Sequence, residues 1–120
     1  MEIIGAAPLV ASSGNVAAAV AAATLSGVAD KTTYLSGFQV NGTGATGTST
    51  VLVTITGLVG GTLTFPLVVV AGAGLPNQPM NINFAVAIPA TAPNTAIVVS
   101  CPSLGAGNLN KAVNAQGFRL

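Results

Sequence analysis

Glycine, proline and asparagine break this chain at short, nearly even intervals: Gly14-Asn15, Asp30-Lys31, Asn41-Gly42, Gly57, Gly60-Gly61, Gly72-Ala73-Gly74, Pro89, Pro93-Asn94 and Gly105-Ala106-Gly107. Between the breaks lie runs of about six to eleven residues rich in Val, Ile, Thr, Leu and Phe, the pattern of short strands joined by turns. A helix needs a longer uninterrupted stretch to bury a stable face, whereas a strand of this length is of ordinary size. The punctuation therefore predicts an all-β fold.

The runs carry a period of two. Val51, Val53 and Ile55 alternate with Leu52, Thr54 and Thr56. Ile82, Phe84, Val86 and Ile88 alternate with Asn81, Asn83, Ala85 and Ala87, so one face of that run meets a core and the other is small or polar. Between Thr32 and Val40 the pattern is imperfect: Tyr34, Phe38 and Val40 share a side with Ser36. Leu67-Val68-Val69-Val70 and Ile97-Val98-Val99 are continuous, as expected of strands covered on both faces. Asn15 to Leu25 reads two ways. Its alanines favour a helix capped by Ser12, Ser13 or Asn15, while Val16, Ala18, Val20, Ala22 and Thr24 alternate as in a strand. The β character of the rest of the chain favours the strand.

Short connections imply mostly antiparallel pairing. The expected fold is an all-β antiparallel two-sheet sandwich, jelly-roll-like, of seven to eight strands. A length of 120 residues fits one domain. Residues 1–14 are expected to form an N-terminal arm or edge segment, and residues 15–120 a single sandwich domain.

Charge narrows the function. From Thr32 to Asn110 there is no Asp, Glu, Lys, Arg or His, and the whole chain holds only Glu2, Asp30, Lys31, Lys111 and Arg119. Proton carriers, charge clamps and metal ligands are the usual equipment of catalysis. With two acidic residues and no histidine, paired-carboxylate chemistry and zinc sites have no candidates. A net charge of +1 and 4% aromatics offer neither a phosphate-binding field nor a base-stacking platform. The chain is expected not to be an enzyme, to need no cofactor or metal, and to bind no nucleic acid.

Three motifs invite chemistry and fail on context. Gly42-Thr43-Gly44-Ala45-Thr46-Gly47 matches G-x-G-x-x-G, but a strand follows it, and the same loop lacks the lysine of a nucleoside-triphosphate site. It is expected to be a plain loop between strands. Asn41-Gly42-Thr43 is a formal glycosylation sequon that reads better as a tight turn. Cys101 has no histidine to activate it and is expected to be an inert core residue; Lys31 and Lys111 are expected to be solvated or to lie at an interface.

Val51 to Leu75 is charge-free, but its threonines, glycines and Pro66 argue for strands over a membrane-spanning helix. The acidic Glu2 and the early Pro8 do not suit a cleaved signal, so synthesis and assembly in a cytoplasm are expected, without membrane association. Ile3, Ile4, Leu9 and Val10 are candidate partner-binding residues, as the apolar side chains of an arm reaching a neighbour.

Two stretches resemble a known family. One is Gly27-Val28-Ala29-Asp30-Lys31-Thr32-Thr33-Tyr34-Leu35-Ser36-Gly37-Phe38, followed by Val51 to Leu58. The other runs from Ile88-Pro89-Ala90 through Asn94-Thr95-Ala96-Ile97 and Ser103-Leu104-Gly105-Ala106-Gly107-Asn108 to Gly117-Phe118. Together, over about residues 15–120, they resemble the small β-sandwich head decoration or cement proteins of tailed bacteriophages. The resemblance implies a homotrimer on the capsid surface of the virion, bound to the major capsid protein. It transfers no functional residue.

The expected function is accordingly that of a non-enzymatic virion structural protein that stabilises a phage head. The alternative is a carbohydrate- or receptor-binding β-sandwich module of a phage fibre or tail. That alternative requires an exposed groove carrying Tyr34 or Phe118 beside clustered Asn side chains.

Overall fold

The computed structural model describes residues 7–120. Eight strands follow in chain order: β1 (Ala7–Ser12), β2 (Ala21–Leu25), β3 (Thr33–Gly42), β4 (Ser49–Thr56), β5 (Leu63–Val69), β6 (Met80–Pro89), β7 (Ile97–Cys101) and β8 (Lys111–Arg119). No helix forms among the described residues.

The strands build two four-stranded antiparallel sheets, β1-β8-β3-β6 and β2-β7-β4-β5. The chain doubles back between β4 and β5, so that β4 pairs with β5, β3 with β6, β2 with β7 and β1 with β8. Successive pairs of this double ribbon fall in opposite sheets, and the β3–β8 and β4–β7 pairings join them within each sheet. That winding is a jelly roll, the fold class expected from the punctuation.

The inner faces of the two sheets meet in one core. Leu35, Phe38 and Val40 of β3 and Val113 and Ala115 of β8 face Leu25, Val53, Ile55, Val69, Ile97 and Val99 from the other sheet. Phe38 lies at its centre, with its ring centroid 5.2 Å from that of Phe65 and 6.4 Å from that of Phe84. Burial of side chains of this size contributes roughly 1.5–3 kcal/mol each.

Several local expectations give way to tertiary structure. Asn15–Val20 is irregular, and only Ala21–Leu25 is a strand. Its buried residues are Ala21, Ala23 and Leu25, the phase opposite to the one the valines suggested, because Val16 and Val20 precede the ladder. The imperfect alternation of β3 is a β-bulge. Leu35 pairs with Gly117 and Gly37 with Gln116, leaving Ser36 as the extra residue. The inward set therefore switches from Thr33 and Leu35 to Phe38 and Val40, and Tyr34 points to the opposite face from Phe38. In β6, register jumps from Ile88 opposite Leu35 to Asn83 opposite Gly37, so the alternation read from Asn81 to Ile88 is interrupted and Val86 is 80% exposed. The run Leu67–Val70 is covered on one face only: Leu67 and Val69 are buried, Val68 and Val70 exposed. Asn41 and Gly42 continue β3 instead of turning. Residues 7–12, within the expected arm or edge segment, are the edge strand β1, so the sandwich extends to Ala7. No helix among the described residues is long and apolar enough to cross a membrane.

Candidate functional site

Among the described residues no group of three or more His, Cys, Asp or Glu side chains comes together. The accessible charges among the described residues collect at one end. Asp30 and Lys31 lie in the turn that leads into β3, and Arg119 donates from Nε and a terminal nitrogen to the Ser26 carbonyl at 3.1 and 2.8 Å. The glycine-rich stretch Gly42–Gly47 packs backbone against backbone. Gly44 N donates to Leu75 O at 2.6 Å, and a Cβ at Gly44 would run into the carbonyl oxygen of Val70. Its glycine serves close chain approach, and its amides point into the protein.

Lys111 departs from its expected place. It is 1% exposed, neither solvated nor at the surface. Its stem crosses the end of the core, and its ammonium donates to the main-chain carbonyls of Ala19, Pro102 at 2.6 Å and Cys101 at 3.3 Å. Three carbonyl dipoles take the place that a carboxylate would hold elsewhere, since the chain has so few acids. Burial pushes its pKa below the ordinary 10.5, with the nearby Cys101 acting weakly in the other sense. Cys101 is itself fully buried, and burial raises its thiol above the ordinary 9.0, opposed by Lys111. A protonated, inaccessible thiol is not a nucleophile.

The outer face of the β1-β8-β3-β6 sheet is ordered in three cross-strand rows. Pro8, Phe118, Tyr34 and Pro89 form the first; Val10, Gln116, Gly37 and Asn83 the second; Ser12, Asn114, Gln39 and Asn81 the third. In the first row the rings of Tyr34 and Phe118 stack with centroids 4.8 Å apart and planes 13° from parallel. In the second, Asn83 Oδ1 and Gln116 Nε2 converge above the bare Gly37, where a Cβ would come within 2.7 and 2.9 Å of them. In the third, Gln39 Nε2 donates to Asn81 Oδ1 at 3.2 Å. The unpaired segment Phe84–Ala87 of β6 stands beside these rows and, with Tyr34, Ser36, Phe118 and Leu120, encloses a groove of about 470 Å³. No side chain lining it is ionised.

No protein-family model, curated protein or solved structure matches the chain.

The other outer face, on β2-β7-β4-β5, is divided differently. One row is Ala22, Ser100, Thr54 and Thr64. Beside it Leu52 lies opposite Pro66 and Thr50 opposite Val68, and Leu52 and Val68 are 50% and 60% exposed. With Val70 they form an apolar patch on an otherwise hydroxyl-bearing sheet. Of the candidate partner-binding residues, Ile3 and Ile4 lie outside the described residues. Leu9 packs against the core and Val10 is 83% exposed on the outer face of β1. Leu52, Pro66 and Val68 were not singled out by sequence, because a continuous apolar run does not say which of its faces is left uncovered.

Proposed function

We propose that this protein is a non-enzymatic structural component of a virus particle, a homotrimeric decoration or cement protein that binds the major capsid protein of a phage head. The observation that carries the proposal is the uncovered apolar patch Leu52, Pro66, Val68 and Val70 on a sandwich whose accessible charges all lie at one end, among the described residues. A surface so poor in charge holds neighbours by shape, apolar contact and neutral hydrogen bonds, none of which salt weakens much. A four-stranded face projects roughly 500 Å². One face with an adjoining edge therefore approaches the approximately 800 Å² per partner that a stable contact needs. The resemblance of Gly27–Phe38 and Ile88–Phe118 to phage decoration proteins supports the same assignment.

The experiment is quantitative protein analysis of purified tailed-phage particles that encode this chain. A copy number that is a fixed multiple of the capsid lattice supports the proposal. Absence from intact particles, or a few copies confined to the tail, overturns it.

A further inference from the structure

The outer face opposite the apolar patch has a different character. The bulge at Ser36 turns Tyr34 outward, and the break in the β3–β6 register leaves the four residues Phe84–Ala87 of β6 unpaired with β3. Bulges at a sheet edge re-aim side chains and open space beside them. The space opened here is walled by Tyr34, Ser36, Phe118, Leu120 and Phe84–Ala87, and the row that carries Asn83 and Gln116 adjoins it along the sheet. Two residues along a strand separate neighbouring rows by about 7 Å, the scale of one sugar residue.

We propose that this groove and the amide row beside it bind a neutral saccharide, with one sugar ring against Tyr34 and Phe118 in the groove and the hydroxyls of the saccharide's next part on Asn83 and Gln116. Each carboxamide offers both a donor and an acceptor, the pair of functions that adjacent hydroxyls require. Asn83, Asn114 and Gln116 form no side-chain hydrogen bond among the described residues, so they meet a ligand without first breaking one. The bare Gly37 lets the amide ends of Asn83 and Gln116 settle over its backbone, which holds the two groups side by side. The Tyr34–Phe118 stack fixes the aromatic wall in advance, and Ser36 is held by its bond to the Gln116 carbonyl at 3.0 Å. The volume of about 470 Å³ lies within the range of small-molecule sites. Charge selects the class of ligand. No ionised side chain lines the groove, so a sulfated or sialylated sugar or a phosphate finds no counter-charge to repay its desolvation. An extended apolar peptide would strand the amide row unpaired. The site uses the sheet opposite Leu52 and Val68 and does not depend on capsid binding.

The full chain is applied to an array of purified neutral, sialylated and sulfated glycans, and a neutral hit is titrated calorimetrically. Saturable binding to neutral glycans is expected, weakened at least tenfold by Tyr34→Ala and by Asn83→Ala, and unchanged by Thr64→Ala on the opposite sheet. Asn83 is an exposed edge-strand residue, so Asn83→Ala decides the question even where Tyr34→Ala fails to fold. Silence across the array, binding confined to acidic glycans, or neutral binding that survives Asn83→Ala overturns the proposal.

Discussion

The ammonium of Lys111 lies 2.6 Å from the carbonyl oxygen of Pro102, a bond between the first residue of the last strand and the residue that follows β7. The same nitrogen reaches Ala19 in the irregular segment before β2. One buried cation thus fastens three chain segments at one end of the sandwich. Lys111→Met keeps much of the volume and removes the donor, leaving the carbonyls of Ala19, Cys101 and Pro102 unsatisfied. Each such acceptor costs about 1–3 kcal/mol, offset in part by no longer burying a charge. A net loss of about 2 kcal/mol or more is expected in urea unfolding. A variant as stable as the parent would show that the fastening contributes nothing.

Lys111 and Cys101 also set opposite pH dependences. Burial lowers the lysine below 10.5, so between its depressed value and 10.5 the unfolded chain binds more protons than the folded one, and stability rises with pH. Burial raises the thiol above 9.0, so above 9.0 the folded chain keeps a proton that the unfolded chain loses, and stability falls with pH. Cys101→Ser removes the falling contribution and the thiolate that favours a charged Lys111. The melting temperature of the variant relative to the parent is expected to climb as pH rises from 9.0 to 10.5. A difference that stays flat over that interval would contradict the burial of the Cys101 thiol.

How far the sequence foretold these features depends on whether the deciding partners are local. β4 was legible because Val51, Val53 and Ile55 meet the core in unbroken register. β3 was legible as a strand but not in phase, because the bulge at Ser36 is fixed by β8, about 80 residues away. Val86 looked like a core residue for the same reason: its escape depends on where β6 stops pairing with β3. The burial of Lys111 had no signal at all, since its acceptors are main-chain carbonyls that any residue could supply. Tyr34 and Phe118 could be named as a candidate aromatic surface, but the amide rows beside them exist only once β1, β8, β3 and β6 lie side by side.

Phe38 tests the core that supports the groove. It is fully buried between Phe65 of the opposite sheet and Phe84, which lines the groove. Phe38→Ala is expected to cost about 3–5 kcal/mol, seen as a lower urea midpoint with an unchanged slope. A loss below about 1 kcal/mol would mean that the site collapses around the missing ring.

Val68 tests the apolar patch. It stands on the outer face of β5 beside Leu52 and Pro66, exposed, so a charge there faces water in the isolated chain. In a contact between copies or with a capsid, the same charge would be desolvated without a partner, at a cost of several kcal/mol. Val68→Asp is therefore expected to leave the melting temperature of the isolated fold nearly unchanged while weakening association by about 100-fold, or approximately 2.7 kcal/mol. Native mass measurement across a dilution series reads the association, and thermal unfolding below the dissociation range reads the fold. Association that survives Val68→Asp intact would move the contact to another surface, with the exposed outer face of β1 around Val10 next in line.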